Sequence, residues 1–137
     1  MSKIDENLVV SKERVENFGE VYTHSREVNA MLDLVKQETE RIDSRFLEPA
    51  CGNGNFLAEV LSRKLAIVDS RYKRNQIEWE RNGILAITSI YGIDIILDNT
   101  QACRDRMLDI FQQRYTELFI DEIKQDCIKS AIYILSL

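Results

Sequence analysis

Phe46-Leu47-Glu48-Pro49-Ala50-Cys51-Gly52-Asn53-Gly54-Asn55-Phe56-Leu57 is the stretch on which the reading of this chain turns. A short apolar run meets Pro49, two glycines follow one residue apart, and Val60, Leu61 and Leu65 continue at helical spacing. That order is strand, tight glycine turn, helix N-terminus. Such a turn offers backbone N–H groups that nothing in the chain need satisfy, and its glycines let a ligand approach the backbone closely. The loop is expected to hold the polar end of a nucleotide-like cofactor.

The wording of the loop narrows the cofactor. Dinucleotide sites use Gly-x-Gly-x-x-Gly, and here Leu57 stands where the third glycine would be. Glu48-Pro49-Ala50-Cys51-Gly52-Asn53-Gly54-Asn55-Phe56-Leu57 instead resembles the cofactor loop of S-adenosylmethionine-dependent, adenine-specific DNA methyltransferases of restriction–modification systems, Asp/Glu-Pro-Ala-Cys-Gly-x-Gly-x-Phe-Leu. The resemblance implies a cofactor site built from Glu48, Pro49, Ala50, Cys51, Gly52, Gly54 and Phe56. The plainer alternative is a structural glycine turn at a strand end.

Two flanking segments fit the same family. Gly19-Glu20-Val21-Tyr22-Thr23-His24-Ser25-Arg26-Glu27-Val28 is similar to its Gly-x-x-Phe/Tyr-Thr-Pro-x-x-Val segment, which implies that Thr23 closes over the methionine end of the cofactor. His24 replaces the usual proline. Ser89-Ile90-Tyr91-Gly92-Ile93-Asp94-Ile95 reads as a second short strand ending in an acid. The resemblance implies that Asp94 accepts hydrogen bonds from the ribose hydroxyls, as an acceptor-only carboxylate can, and that Ile95 lies against adenine. The competing reading is that Asp94 caps a helix starting near Leu97 or Asp98. The separation between loop and acid is roughly double the ~20 residues of a compact dinucleotide unit. Arg71–Arg81 lies in that gap and reads as an extra polar helix with Trp79 turned inward and Glu78 and Glu80 among the basic residues, followed by Leu85-Ala86-Ile87 leading into the strand.

Composition sets bounds. A chain of 137 residues, 45% hydrophobic and 30% charged, suits one globular domain spanning 1–137. No apolar run approaches the ~20 residues that cross a bilayer, so no membrane association is expected. Three scattered cysteines suggest neither zinc nor a disulfide framework, and a reducing cytoplasm is the expected home. A net charge of −5 gives no support to direct DNA binding, which needs clustered Lys and Arg. DNA is expected as a partner only through a completing chain or domain.

The fold class expected is α/β: a partial Rossmann-like methyltransferase fold, a small parallel sheet flanked by several helices. Short helices are predicted over Ser11–Phe18 and from an N-cap at Ser25 through Val28, Met31, Leu32 and Val35. Arg45–Glu48 and Ser89–Ile93 are the predicted strands, Asn55 to about Val68 the helix between them. Asp98–Tyr115 is predicted to bury Ala102, Met107, Leu108, Ile110 and Phe111. Asp121–Leu137 carries a stripe of Ile123, Cys127, Ile128, Ala131, Ile132 and Leu135 that should pack over the sheet or pair with a second copy or partner; self-association is the expectation.

An absence bears on mechanism. The family resembled holds the flipped adenine with an Asn/Asp-Pro-Pro-Tyr/Phe tetrapeptide, because the target atom is inaccessible in the duplex. Pro49 is the sole proline here, so this chain has no such element and no catalytic residue is assigned. His24 is the sole histidine, which removes His-based triads. Cys51 is read as a small side chain packed beneath the loop, since nothing near it in sequence would activate it. Three functions stay open: a cofactor-binding portion of a DNA methyltransferase, inactive alone; a non-catalytic interaction protein or remnant with that fold; and a small-molecule methyltransferase or other nucleotide-binding protein using the same loop.

Overall fold

The computed structural model describes residues 25–48, 51, 52, 54–92, 94 and 96–137. The predicted helix Ser11–Phe18 lies outside them. The described chain is mostly helical around a two-stranded parallel sheet. Helix α1, Ser25–Asp33, precedes a single helical turn, α2, Lys36–Thr39. Strand β1, Phe46–Glu48, leads through the glycine loop into α3, Asn55–Tyr72. Helix α4, Gln76–Thr88, then feeds β2, Ile90–Gly92. Helices α5, Leu97–Leu118, and α6, Gln125–Ser136, complete the order. The strands pair in parallel, Phe46 with Ile90, Leu47 with Tyr91 and Glu48 with Gly92.

The core forms where α3 buries one broad face. Leu57, Val60, Leu61, Lys64, Leu65 and Val68 recur at helical spacing and are enclosed by α1, α4, α5 and both strands. Around Trp79 an aromatic cluster joins α4 to α5. The indole stacks on Tyr115 at 5.3 Å between centroids and lies 5.4 Å from Phe111, and its ring is wholly buried. Asp69 of α3 holds this cluster in register by accepting from the Trp79 indole N–H at 2.8 Å and from Arg114 at 2.6 Å.

Several sequence expectations change. Arg71–Arg81 is not one helix. The chain leaves α3 at Tyr72, turns through Lys73 and Arg74, and restarts where the Asn75 side chain accepts the Glu78 N–H at 3.2 Å. Leu85, Ala86 and Ile87 continue that helix, and Trp79 is inward as expected. In α1 only Val28 and Leu32 are buried, because this short helix packs mainly on α3; Met31 and Val35 are exposed. Ala102 is exposed, and Cys103 faces the core instead. Asp121 and Glu122 sit in the turn before α6. The apolar stripe of α6 packs on α4 and α5 with Ala131 fully buried, rather than over the sheet, and it leaves Ile132 and Tyr133 exposed. Among the described residues no helix is long and apolar enough to cross a membrane.

Candidate functional site

Both strands end at the same side of the sheet, so the glycine loop after β1 and the acid after β2 meet there. Gly52 and Gly54 both take left-handed backbone angles, φ 55° and 89°. The Gly52 N–H donates to Asp94 Oδ2 at 3.0 Å, a contact between residues 42 positions apart. The other oxygen, Oδ1, accepts the Ile96 N–H at 2.9 Å. Ile96 is the N-cap of α5 and its own side chain makes no cap bond; Asp94, two residues ahead, closes a turn before the helix and is not its N-cap.

The two glycine amides are not left waiting for a ligand. Gly52 gives its N–H to Asp94, and Gly54 gives its N–H to the Cys51 carbonyl at 2.9 Å. Gly54 also owes its identity to packing. A Cβ there would lie 2.9 Å from Cys103 Sγ and 3.2 Å from Cys103 Cα, so the partner that approaches this glycine is α5. The expectation of open amides at both glycines, and of open space at Gly54, is corrected accordingly: a loop in a folded chain satisfies its own donors where neighbours allow.

Cys51 is buried beneath the loop, and burial, then the Asp94 charge, pushes its thiol pKa up. It is a packed side chain and not an activated nucleophile. Glu48 is half-buried at the tip of β1, where its charge acts on Cys51. Phe56 is half-buried against the core. Thr23, Pro49, Ala50 and Ile95 lie outside the described residues. Gly92, which sequence reasoning passed over, sits between the elements: a Cβ there would be 2.7 Å from Leu57 Cδ1 and 3.0 Å from Cys51 Cβ. Its place directly before the acid-bearing segment was the available signal.

At the opposite end of the sheet Lys64 performs a comparable tie. Its ammonium is fully buried and donates to the Ile42 carbonyl at 3.0 Å, to Ser89 Oγ at 2.6 Å and to the Ser44 carbonyl. Ser44 and Ser89 precede β1 and β2, so one side chain holds both strand starts. Burial lowers the Lys64 pKa to about 8. A lysine at an otherwise apolar helix position gave no sign of this in sequence.

An apolar cleft of about 590 Å³ runs beside β2 between the sheet and helices α5 and α6, with Leu47, Tyr91, Thr100 and Arg104 among its walls. Of the predicted site residues among the described ones, only Cys51 lines it. Among the described residues no group of three or more His, Cys, Asp or Glu side chains is placed to hold a metal. No family model, no curated protein and no solved structure matches this chain.

Proposed function

We propose that this chain is the S-adenosylmethionine-binding portion of an adenine-specific DNA methyltransferase, with a partial Rossmann-like fold, and that it acts only with a chain or domain bearing the Asn/Asp-Pro-Pro-Tyr/Phe element. The observation that supports this reading is the 3.0 Å bond between Gly52 N–H and Asp94 Oδ2 at the carboxyl ends of two parallel strands. Ligands of open α/β sheets bind outside those ends. When bound, the cofactor supplies an electrophilic methyl group on a sulfonium sulfur. The chain's own part is to bind and orient. Each oxygen of Asp94 accepts one backbone bond, which leaves lone pairs for a ribose diol. Gly52, without Cβ and in the left-handed region, lets a ligand lie against the turn. DNA and a partner chain belong to the completing half, in keeping with the net charge of −5.

A second reading, a non-catalytic interaction protein with this fold, draws on the other side of the same geometry: both glycine amides already have acceptors within the chain. Isothermal titration with S-adenosylmethionine and its demethylated product separates the two. Weak saturable binding is expected, abolished by Gly52→Val and weakened by roughly 1–3 kcal/mol in Asp94→Ala, the scale of charge-assisted hydrogen bonds. Equal affinity in both variants overturns the site, and no binding by the folded wild type favours the interaction protein.

A further inference from the structure

The apolar cleft beside β2 is walled by the sheet, α5 and α6, and Leu57, Ile87, Ile90, Met107, Ile134 and Leu135 make those walls aliphatic. Its volume of about 590 Å³ suits a small molecule, whose sites run from roughly 300 to 1,000 Å³ and join apolar walls to a few polar groups. Arg104 is the only charged side chain among its described lining residues, in a chain of net charge −5. Thr100 stands one helical turn before it on α5, so both line the cleft from the same side of that helix. Both are half-buried. Neither side chain makes a hydrogen bond or ion pair with another described residue. Arg63, Arg81 and Arg114, by contrast, each hold a carboxylate of the chain.

We propose that this cleft binds an aliphatic carboxylate of the fatty-acid class, its tail among the aliphatic walls and its head on Arg104 and Thr100. A guanidinium with no acceptor of its own matches a carboxylate in charge and in fork geometry, and the Thr100 hydroxyl adds a third donor. No acidic side chain lines the cleft to repel such a head. The apolar walls by themselves accept any greasy surface, and the cation is what selects an anionic amphiphile. A neutral partner seated on the same walls, whether a second copy or an apolar peptide, would take water from Arg104 without pairing it, and that costs free energy. The site is distinct from the proposed nucleotide site, since neither Gly52 nor Asp94 lines the cleft. Binding is non-covalent and asks no chemistry of the neighbouring cysteines.

The test is calorimetric titration of the chain with octanoate, decanoate and decanol, each below its micelle concentration. Decanoate is expected to bind at one site per chain and to bind more tightly than octanoate by about fourfold per added methylene. Decanol, which keeps the tail and lacks the charge, should bind at least about tenfold more weakly than decanoate, the scale of losing charge-assisted hydrogen bonds. Arg104→Gln should erase the preference for the acid while leaving the affinity for decanol unchanged. Thr100→Val, a second variant that keeps the test open if the first does not fold, should weaken decanoate and leave decanol as it was. Saturating S-adenosylmethionine should not displace decanoate. Equal affinity of the wild type for acid and alcohol, an undiminished preference in both variants, displacement by S-adenosylmethionine, or no binding by the folded wild type overturns the site. A dimer by light scattering that decanoate does not dissociate, with decanoate unbound, assigns the walls to a second copy and overturns it as well. Decanoate binding without S-adenosylmethionine binding leaves this site standing and counts only against the proposed function, so the two failures are distinct.

Discussion

At Gly54 the backbone angle of +89° and the proximity of α5 act together. An alanine there adopts an unfavourable left-handed conformation and drives its Cβ to 2.9 Å from Cys103 Sγ and 3.2 Å from Cys103 Cα. Gly54→Ala should lose about 1–3 kcal/mol of stability in urea denaturation. Adding Cys103→Ala should recover only part of that loss, because the backbone angle and the crowding against the main chain of α5 persist. Lys64 makes a different prediction. Its pKa is about 8 in the folded chain against an ordinary 10.5, so the folded state holds fewer protons between those values. The cost of burying the charge is fully present below about pH 8 and is relieved as pH rises toward 10.5. The stability of the wild type relative to Lys64→Met should therefore climb by up to about 3 kcal/mol across that window. Parallel urea midpoints at pH 7.5 to 10 measure it, and a flat difference overturns the assignment.

Among the elements, α3, α5 and α6 were legible because each carries an apolar stripe long enough to outweigh local ambiguity. Helix α4 was not. Its opening turn is polar, its cap is the side chain of Asn75, and the basic run Arg71-Tyr72-Lys73-Arg74 before it looks continuous with a solvated helix. Its placement depends on Trp79, which needs both an aromatic slot on α5 and an acceptor for its N–H, and Asp69 supplies the acceptor from α3. Asp69→Ala leaves that buried N–H without its acceptor and takes from Arg114 its 2.6 Å partner. A loss of about 1–3 kcal/mol is expected. Trp79 is the only tryptophan in the chain, so its emission reports directly on this docking. A variant with unchanged emission and unchanged urea midpoint would show that aromatic stacking alone seats α4.

At the scale of the whole molecule the decisive feature is the small sheet, two strands among the described residues. Parallel sheets are ordinarily covered on both faces, yet Leu47 and Tyr91, paired across the strands, are 65% and 50% exposed. The same face adjoins the apolar cleft. That geometry suits a chain that acts with a partner, as the proposed function requires. The isolated chain has one proline and hence no Asn/Asp-Pro-Pro-Tyr/Phe element to orient a flipped adenine. Incubation with DNA and tritiated S-adenosylmethionine should accordingly leave no label on the DNA. Methyl transfer by the purified chain would mean that its catalytic groups have been misread.

The sequence by itself determined the succession strand, glycine turn and helix, a second strand with a helix after it further along, the inward turn of Trp79, and the apolar stripe of α6. Each follows from spacing over a few residues, where chain geometry leaves few choices. Only the tertiary structure decided that Gly52 gives its amide to Asp94, that α5 fills the space over Gly54, and that Lys64 ties the starts of both strands. Those contacts join residues between 20 and 49 positions apart. Their partners are set by where the helices after β1 and after β2 return the chain, which no local propensity encodes.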